Sequence, residues 1–259
     1  MTNKWVLITG ASSGIGLELT KLFARDKFNV VLLARSESAL RKLAQELSST
    51  HGIETKVLVK DLMSPAAAQE TFDALRDTPI SILVNNAGLG FYGAFARGNL
   101  NEHTSTMQIN MTALVQLTHL FLQPMLERGA GRILNVASMA AFQPGPLINV
   151  YYATKAFVYS FSYALAIELE GTGVTVTTLC PGTTHTEFFA RGRFGNARAP
   201  FTMGAATVAE AGYRGLMKGK RMVIPGLMNQ LLTRISRLVP DRLNANAVRR
   251  IHQLRDRDR

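Results

Sequence analysis

The sequence predicts an α/β fold built on a doubly wound parallel sheet, and three observations carry that expectation. The chain opens on a strand, a glycine turn and a helix; short apolar runs then alternate with helical patterns to residue 224; and 259 residues are compatible with one such domain. Trp5–Thr9 is a five-residue apolar run of strand character, and after Gly10-Ala11-Ser12-Ser13-Gly14-Ile15-Gly16 a helical pattern runs through Leu17, Leu19, Leu22 and Phe23. Strand-like runs recur at 30–34, 55–59, 80–84, 132–137, 174–179 and 222–224. Helical patterns fill the intervals at 38–47, 65–75, 100–127, 150–170 and 205–217, which makes the strands parallel and puts helices on both faces. No internal repeat or low-complexity linker interrupts the alternation. Residues 1–225 are therefore expected to form one domain, and 226–259 a basic amphipathic helical extension.

Cysteine usage narrows the setting. Cys180 is the only cysteine, so no internal disulfide or cysteine-based metal cluster can form, and its place before Pro181 at the end of an apolar run suggests a buried structural thiol. The opening apolar run is cut short by Gly10 and no later stretch reaches the ~20 apolar residues a spanning helix needs. A soluble protein in a reducing, cytoplasmic compartment is expected.

Chemistry concentrates in the middle of the chain. Tyr151 and Lys155 stand four positions apart, a spacing that puts phenol and ammonium on one helix face. A nearby positive charge favours the phenolate, and Ser138 upstream can hydrogen-bond the oxygen that gains or loses a proton. The three together form an acid/base device for interconverting a carbonyl and an alcohol. Tyr152, three residues from Lys155, is assigned to substrate lining or packing. At the amino terminus, Gly10, Gly14 and Gly16 let the backbone turn tightly and approach a pyrophosphate, while the helix after them offers free N–H groups to it. Ser12 and Ser13 can donate to phosphate oxygens or simply serve the turn.

These motifs resemble those of the short-chain dehydrogenase/reductase family, in its single-domain form. Thr9-Gly10-x-x-x-Gly14-x-Gly16 is similar to that family's cofactor turn, Asn85-Asn86-Ala87-Gly88 to its element after the fourth strand, and Asn110 to the asparagine of its long central helix. Ser138 with Tyr151-x-x-x-Lys155 is similar to its catalytic set, and Pro181-Gly182 to its Pro-Gly after the sixth strand. The resemblance covers roughly the first 190 residues. It implies a Rossmann-like sheet of about seven strands in the order 3-2-1-4-5-6-7 and hydride transfer between a nicotinamide and a carbonyl carbon. Tyr151 would move the proton, Ser138 hold the substrate oxygen, Lys155 lower the tyrosine pKa and bind the nicotinamide ribose, and Asn110 hold a water that passes protons to Lys155. It further implies a nicotinamide dinucleotide contacted by Gly10, Ser12, Ser13, Gly14, Ile15, Gly16, Asp61, Leu62, Asn86, Ala87, Gly88, Tyr151, Lys155, Pro181, Gly182, Thr183 and Thr186. Among these, Asp61 could equally be a turn or cap residue, and Thr183 and Thr186 ordinary loop threonines.

Cofactor choice is legible at the end of the second strand. Arg35 stands after Ala34 where a carboxylate would repel a ribose phosphate, so NADP(H) is expected in preference to NAD(H). The segments 89–93, 139–142 and 187–189 are apolar or aromatic and suggest a lipophilic carbonyl or alcohol substrate: a ketone, an aldehyde or a 3-oxoacyl compound. Residues 186–201, with glycines and arginines, read as a lid over that pocket. His185 is placed to line it, whereas His51, His103, His119 and His252 show no metal-ligand spacing and read as surface or packing residues. No metal is expected.

Charge divides the chain unevenly. Through Phe188 there are 14 basic and 14 acidic residues; from Phe189 onward there are 15 against 4, so the whole net charge of +11 lies in the last part. There Leu227, Met228, Leu231, Leu232, Ile235, Leu238 and Val239 form a helical stripe, and after Pro240 the residues Leu243, Val248, Ile251 and Leu254 continue among arginines. Such a segment packs on its own subunit or a twin, with charges solvated, or lies on an anionic membrane surface. Nucleic acid is not expected, because no aromatic residue comes after Tyr213. A homodimer or homotetramer is what the family resemblance implies. The rival functional class is a dinucleotide-binding sensor or membrane adaptor without turnover, which would not need all of Ser138, Tyr151 and Lys155.

Overall fold

The computed structural model describes residues 4–188, 192 and 202–257. The proposed lid, 186–201, falls mostly outside these residues. Among the described residues nine strands form: β1 Trp5–Thr9, β2 Asn29–Ala34, β3 Thr55–Val59, β4 Ile80–Asn85, β5 Gly131–Val136, β6 Val174–Leu179, β7 Thr184–His185, β8 Met203–Gly204 and β9 Met222–Val223. Seven of them build one parallel sheet in the order β3-β2-β1-β4-β5-β6-β9, while β7 and β8 pair in a small ribbon. The order expected for the seven-stranded sheet is the one found.

Strand residues alternate between two cores, as the pleat requires. Val6, Ile8, Val30, Leu32, Leu134 and Val136 point to one face, which is covered by α1 (Gly14–Arg25), α2 (Glu37–His51) and α7 (Ala205–Met217). Trp5, Leu7, Val31, Leu33, Ile133 and Val176 point to the other, beneath α3 (Ala67–Ala74), α5 (Leu114–Glu127) and α6 (Asn149–Glu168). Because both faces are covered, β1 and β2 are buried along their whole length, which explains their uninterrupted apolar runs.

The long helical pattern at 100–127 is realised as three segments in line. α4 (Leu100–Met107) gives way to a π-helical stretch at Gln108–Ala113 and then to α5. Pro124 sits inside α5.

Strand order reverses between β1 and β4, and the chain braces that gap with side chains. The Thr9 hydroxyl accepts from the backbone N–H groups of Asn86 and Ala87, both at 3.0 Å. In return the Asn86 amide donates to the carbonyls of Thr9 at 3.0 Å and Gly10 at 3.3 Å. A crevice held open at the carboxyl ends of reversed strands is where α/β sheets bind ligands.

The extension contains α8 (Leu227–Ser236) and α9 (Asp241–Arg257). Arg237 anchors it: its guanidinium lies 4.6 Å over the Phe142 ring and donates to the Tyr159 hydroxyl at 2.8 Å. No helix among the described residues is long and apolar enough to cross a membrane.

Candidate active site

A cavity of about 850 Å3 runs along the carboxyl ends of the sheet. Its wall contains Gly10, Ser12, Ser13, Gly14 and Ile15 from the first turn, Arg35 after β2, and Asp61 and Leu62 after β3. Asn86, Ala87 and Gly88 after β4 complete the cradle, and Ser138, Tyr151, Lys155, Pro181, Gly182, Thr183 and Thr186 close the other end. The structure thus brings into one cavity nearly every residue singled out from the sequence. Gly16 and Asn110 stand behind the wall, and each has a structural reason to be there.

Gly10 has φ of +66°, and a Cβ added there would come within 2.9 Å of the Asn86 amide. A Cβ on Gly16 would run into the Gly10 carbonyl oxygen and the Asn86 amide. Gly16 therefore lets α1 close on the turn without itself facing the cavity. Ser13, in extended conformation at the N-cap of α1, makes no side-chain cap bond to that helix. The first turn of α1 so presents backbone N–H groups toward the crevice, as an anion site needs. A turn that excludes side chains, backed by a helix N-terminus, fits a dinucleotide pyrophosphate. At the rim, the Arg35 guanidinium lies 4.0 Å from the Asp61 carboxylate, both partly solvent-exposed.

Asn110 organises the opposite side from within the π-helical stretch. It is buried; its amide donates to Leu89 O at 2.8 Å and to the Thr154 hydroxyl at 2.9 Å, while its oxygen accepts from the Leu89 N–H at 2.8 Å. Thr154 in turn donates to Tyr151 O at 2.7 Å. Asn110 therefore ties the loop after β4 to α6, the helix that carries Tyr151 and Lys155. Ser138 comes after β5 and caps a short 3-10 turn at Met139–Phe142, its hydroxyl accepting from the Ala140 N–H at 3.1 Å. Tyr151 and Lys155 share one face of α6, with the ammonium 5.8 Å from the phenol ring centroid and donating to Val136 O at 2.7 Å.

The family model for short chain dehydrogenases matches residues 4–194, from the first strand to beyond this site. The chain belongs to that family. Among relatives in the family, sulfoacetaldehyde reductase 2 of Chromohalobacter salexigens is 40% identical over 187 residues, 71% of this chain and 73% of that protein. The ketoacyl reductase HetN of Nostoc sp. is 35% identical over 184 residues, 70% of this chain and 64% of HetN, so the match spans less than two thirds of that relative. A solved short-chain dehydrogenase from Sphingobium yanoikuyae, in complex with NADPH, superposes with a TM-score of 0.81. It is 33% identical, and the match covers 86% of this chain and 88% of that one.

Burial changes the electrostatics expected for this short-chain dehydrogenase site. The Tyr151 phenol is pushed up to about 12 by desolvation, against a lowering contribution from its hydrogen bond with Ser138. Lys155 is pushed down to about 8 by the same cause. Both shifts follow from removal from water, which disfavours the charged form of each group. The phenol holds its proton at neutral pH.

The extension supplies wall that the sequence reading missed. Asn229, Leu232, Val248, Ile251 and His252 all line the cavity. His252, read from the sequence as a surface or packing residue, is buried, and its Nε2 lies 3.2 Å from the Tyr152 hydroxyl. The four-residue spacing of Asn244, Val248 and His252, a single helical stripe, was the available signal. His185 is exposed on β7 and is not part of the wall. Of the suggested substrate segments, Leu89, Gly90, Met139, Ala140 and Phe188 face the cavity, whereas Phe142 packs on Tyr159. Phe189 lies outside the described residues. Among the described residues no cluster of His, Cys, Asp or Glu is placed to hold a metal ion.

Proposed function

We propose that this chain is an NADP(H)-dependent oxidoreductase that interconverts a carbonyl and an alcohol on a lipophilic substrate. The observation that carries the reading is the convergence of Ser138, Tyr151 and Lys155 in the cavity whose other end is the glycine cradle. A nicotinamide dinucleotide, when bound, supplies or accepts the hydride. The chain's own residues do the rest. Gly10, Gly14 and the first turn of α1 would take the pyrophosphate, with Ser12, Ser13 and Ile15 beside it. Asp61 and Leu62 would flank the adenine, Asn86, Ala87 and Gly88 the adjoining ribose, and Pro181, Gly182, Thr183 and Thr186 the carboxamide end.

Tyr151, protonated at neutral pH, gives its proton to the carbonyl oxygen, and Ser138 donates a hydrogen bond to the same oxygen. Lys155 is held by Val136 O behind the phenol, where a substrate oxyanion raises the benefit of its charge. Asn110 positions Leu89 and Thr154, and through Thr154 the first turn of α6.

Arg35 and Lys60 supply the positive rim that favours a ribose phosphate, and this supports NADP(H) over NAD(H). The lipophilic reading is supported by the wall opposite: Leu89, Met139, Ile148, Phe188, Leu232, Val248 and Ile251. The charged residues of the wall are Arg35, Lys60 and Asp61 at the adenosine end and Lys155 behind the phenol. On the lipophilic wall itself, no described residue is a lysine or arginine that could meet a small anionic aldehyde.

Purified protein incubated with NADPH and a panel of lipophilic ketones and aldehydes should consume the cofactor. Arg35→Asp should move the NADPH/NADH preference by about tenfold or more toward NADH. An unchanged preference would remove Arg35 from the phosphate site, and a lack of turnover on any carbonyl would favour a binding-only protein.

A further inference from the structure

The extension is folded with its chemistry reversed. On α8 the inward face is polar: Asn229 is 5% and Thr233 3% exposed, and the Asn229 amide donates to Pro225 O at 2.8 Å. The apolar side chains point to solvent instead, with Leu227 at 84%, Leu231 at 50% and, just past the helix, Leu238 at 86%. Ile235 and Met228 are exposed beside them. The i, i+4, i+8 spacing of Leu227, Leu231 and Ile235 makes these one stripe rather than scattered residues. An exposed apolar stripe of this kind on a protein surface marks a contact site.

Charge selects the contact. From Leu227 to Gln253 there are arginines at 234, 237, 242, 249 and 250, and Asp241 is the only acid. Arg237 is committed to Tyr159, but Arg234, Arg242, Arg249 and Arg250 are exposed, and Arg234 stands one turn from Leu231. A second copy of this face would bring arginine against arginine. An anionic lipid surface complements it, with leucines in the acyl boundary and arginines at the headgroups. Two residues connect the stripe to the site: Leu232 and Ile251 line the catalytic cavity and are also exposed.

We propose that the leucine face of α8, with the arginines of α8 and α9, docks this protein on an anionic lipid surface, and that the cavity mouth at Leu232 and Ile251 lies at that contact. Docking is independent of turnover. Only the corollary that a lipophilic substrate enters from the lipid rests on the oxidoreductase reading.

The test is flotation of the full chain with phosphatidylcholine vesicles, with and without phosphatidylglycerol. The wild type should float with the anionic vesicles and be released by high salt. The combined variant Leu227→Ser, Leu231→Ser, Leu238→Ser, which touches no cavity residue, should lose partitioning about tenfold or more while keeping its melting temperature. The combined variant Arg234→Glu, Arg249→Glu, Arg250→Glu keeps the leucines and should also lose it. Absence of wild-type flotation on anionic vesicles overturns the proposal, as does flotation of both variants at the wild-type level. A lipid-free dimer in sedimentation that the leucine variant abolishes would assign the face to a second copy instead. Failure of the oxidoreductase reading would appear as absent turnover with flotation unchanged.

Discussion

The sheet and the extension bury opposite kinds of side chain. In the body, apolar residues fill both faces of the sheet, and polar groups that go inside, such as Asn110 and Asn135, are held by several hydrogen bonds each. In the extension, Asn229, Thr233, Asn244 and His252 go inside beside Val248, while Leu227, Leu231, Leu238 and Leu243 stay out. The first pattern stabilises a fold in water through apolar burial. The second gives up that stabilisation, which teaches that α8 and α9 are shaped by what they cover and contact more than by their own packing.

If the body is the preorganised half, removing its reacting group should abolish chemistry and leave the fold intact. Tyr151→Phe should lower kcat/KM by about 10³-fold with an unchanged melting temperature; activity surviving at the wild-type level would sink the proposed mechanism. Next in size is the cradle: Gly16→Ala forces a Cβ onto backbone and should lower unfolding free energy by about 3 kcal/mol, read by urea denaturation. A neutral effect would mean that the turn can shift.

Lys155 provides a pH-dependent contrast between function and stability. Its folded pKa of about 8 lies below the ordinary lysine value of 10.5, so burying its charge costs stability throughout the range below about pH 8. That cost is relieved as pH rises from about 8 to 10.5, because the folded state gives up the proton first. Lys155→Met should therefore be inactive yet more stable than wild type at pH 7 by up to about 3 kcal/mol, and the gap should close toward pH 10.5 in denaturation curves. The smallest effect belongs to the extension. Arg237→Ala removes the stacking on Phe142 and the bond to Tyr159 and should cost about 1 kcal/mol, read as a small fall in melting temperature.

Legibility in the sequence tracked the same divide. Strands β1 to β6 and the cavity residues from Gly10 to Pro181 could be read because glycine turns, apolar runs and the Tyr151–Lys155 spacing are local signals; the order of the sheet came with the family resemblance. What was not local was missed. That His252 meets Tyr152 depends on how α9 returns across the cavity, and no spacing encodes a contact a hundred residues apart. The pKa of Tyr151 likewise depends on burial, which the four-residue spacing to Lys155 does not report. The leucine stripe at 227–238 was visible as a stripe, but which face it would take depended on Asn229 fitting between Pro225 O and the Gly182 backbone.

The π-helical stretch at Gln108–Ala113 carries a consequence for sequence change. From Thr106 to Met125 the buried face advances about one residue further than five ordinary turns of about 3.6 residues would take it, and the wide turn absorbs the surplus. Deleting one residue there would leave five regular turns and keep the buried faces of α4 and α5 in phase, but it would close the wide turn that carries Asn110 and draw its amide away from Leu89 and Thr154. A single codon thus decides whether the wide turn that places Asn110 exists, so insertions and deletions in this stretch should be far less tolerated than substitutions beside them.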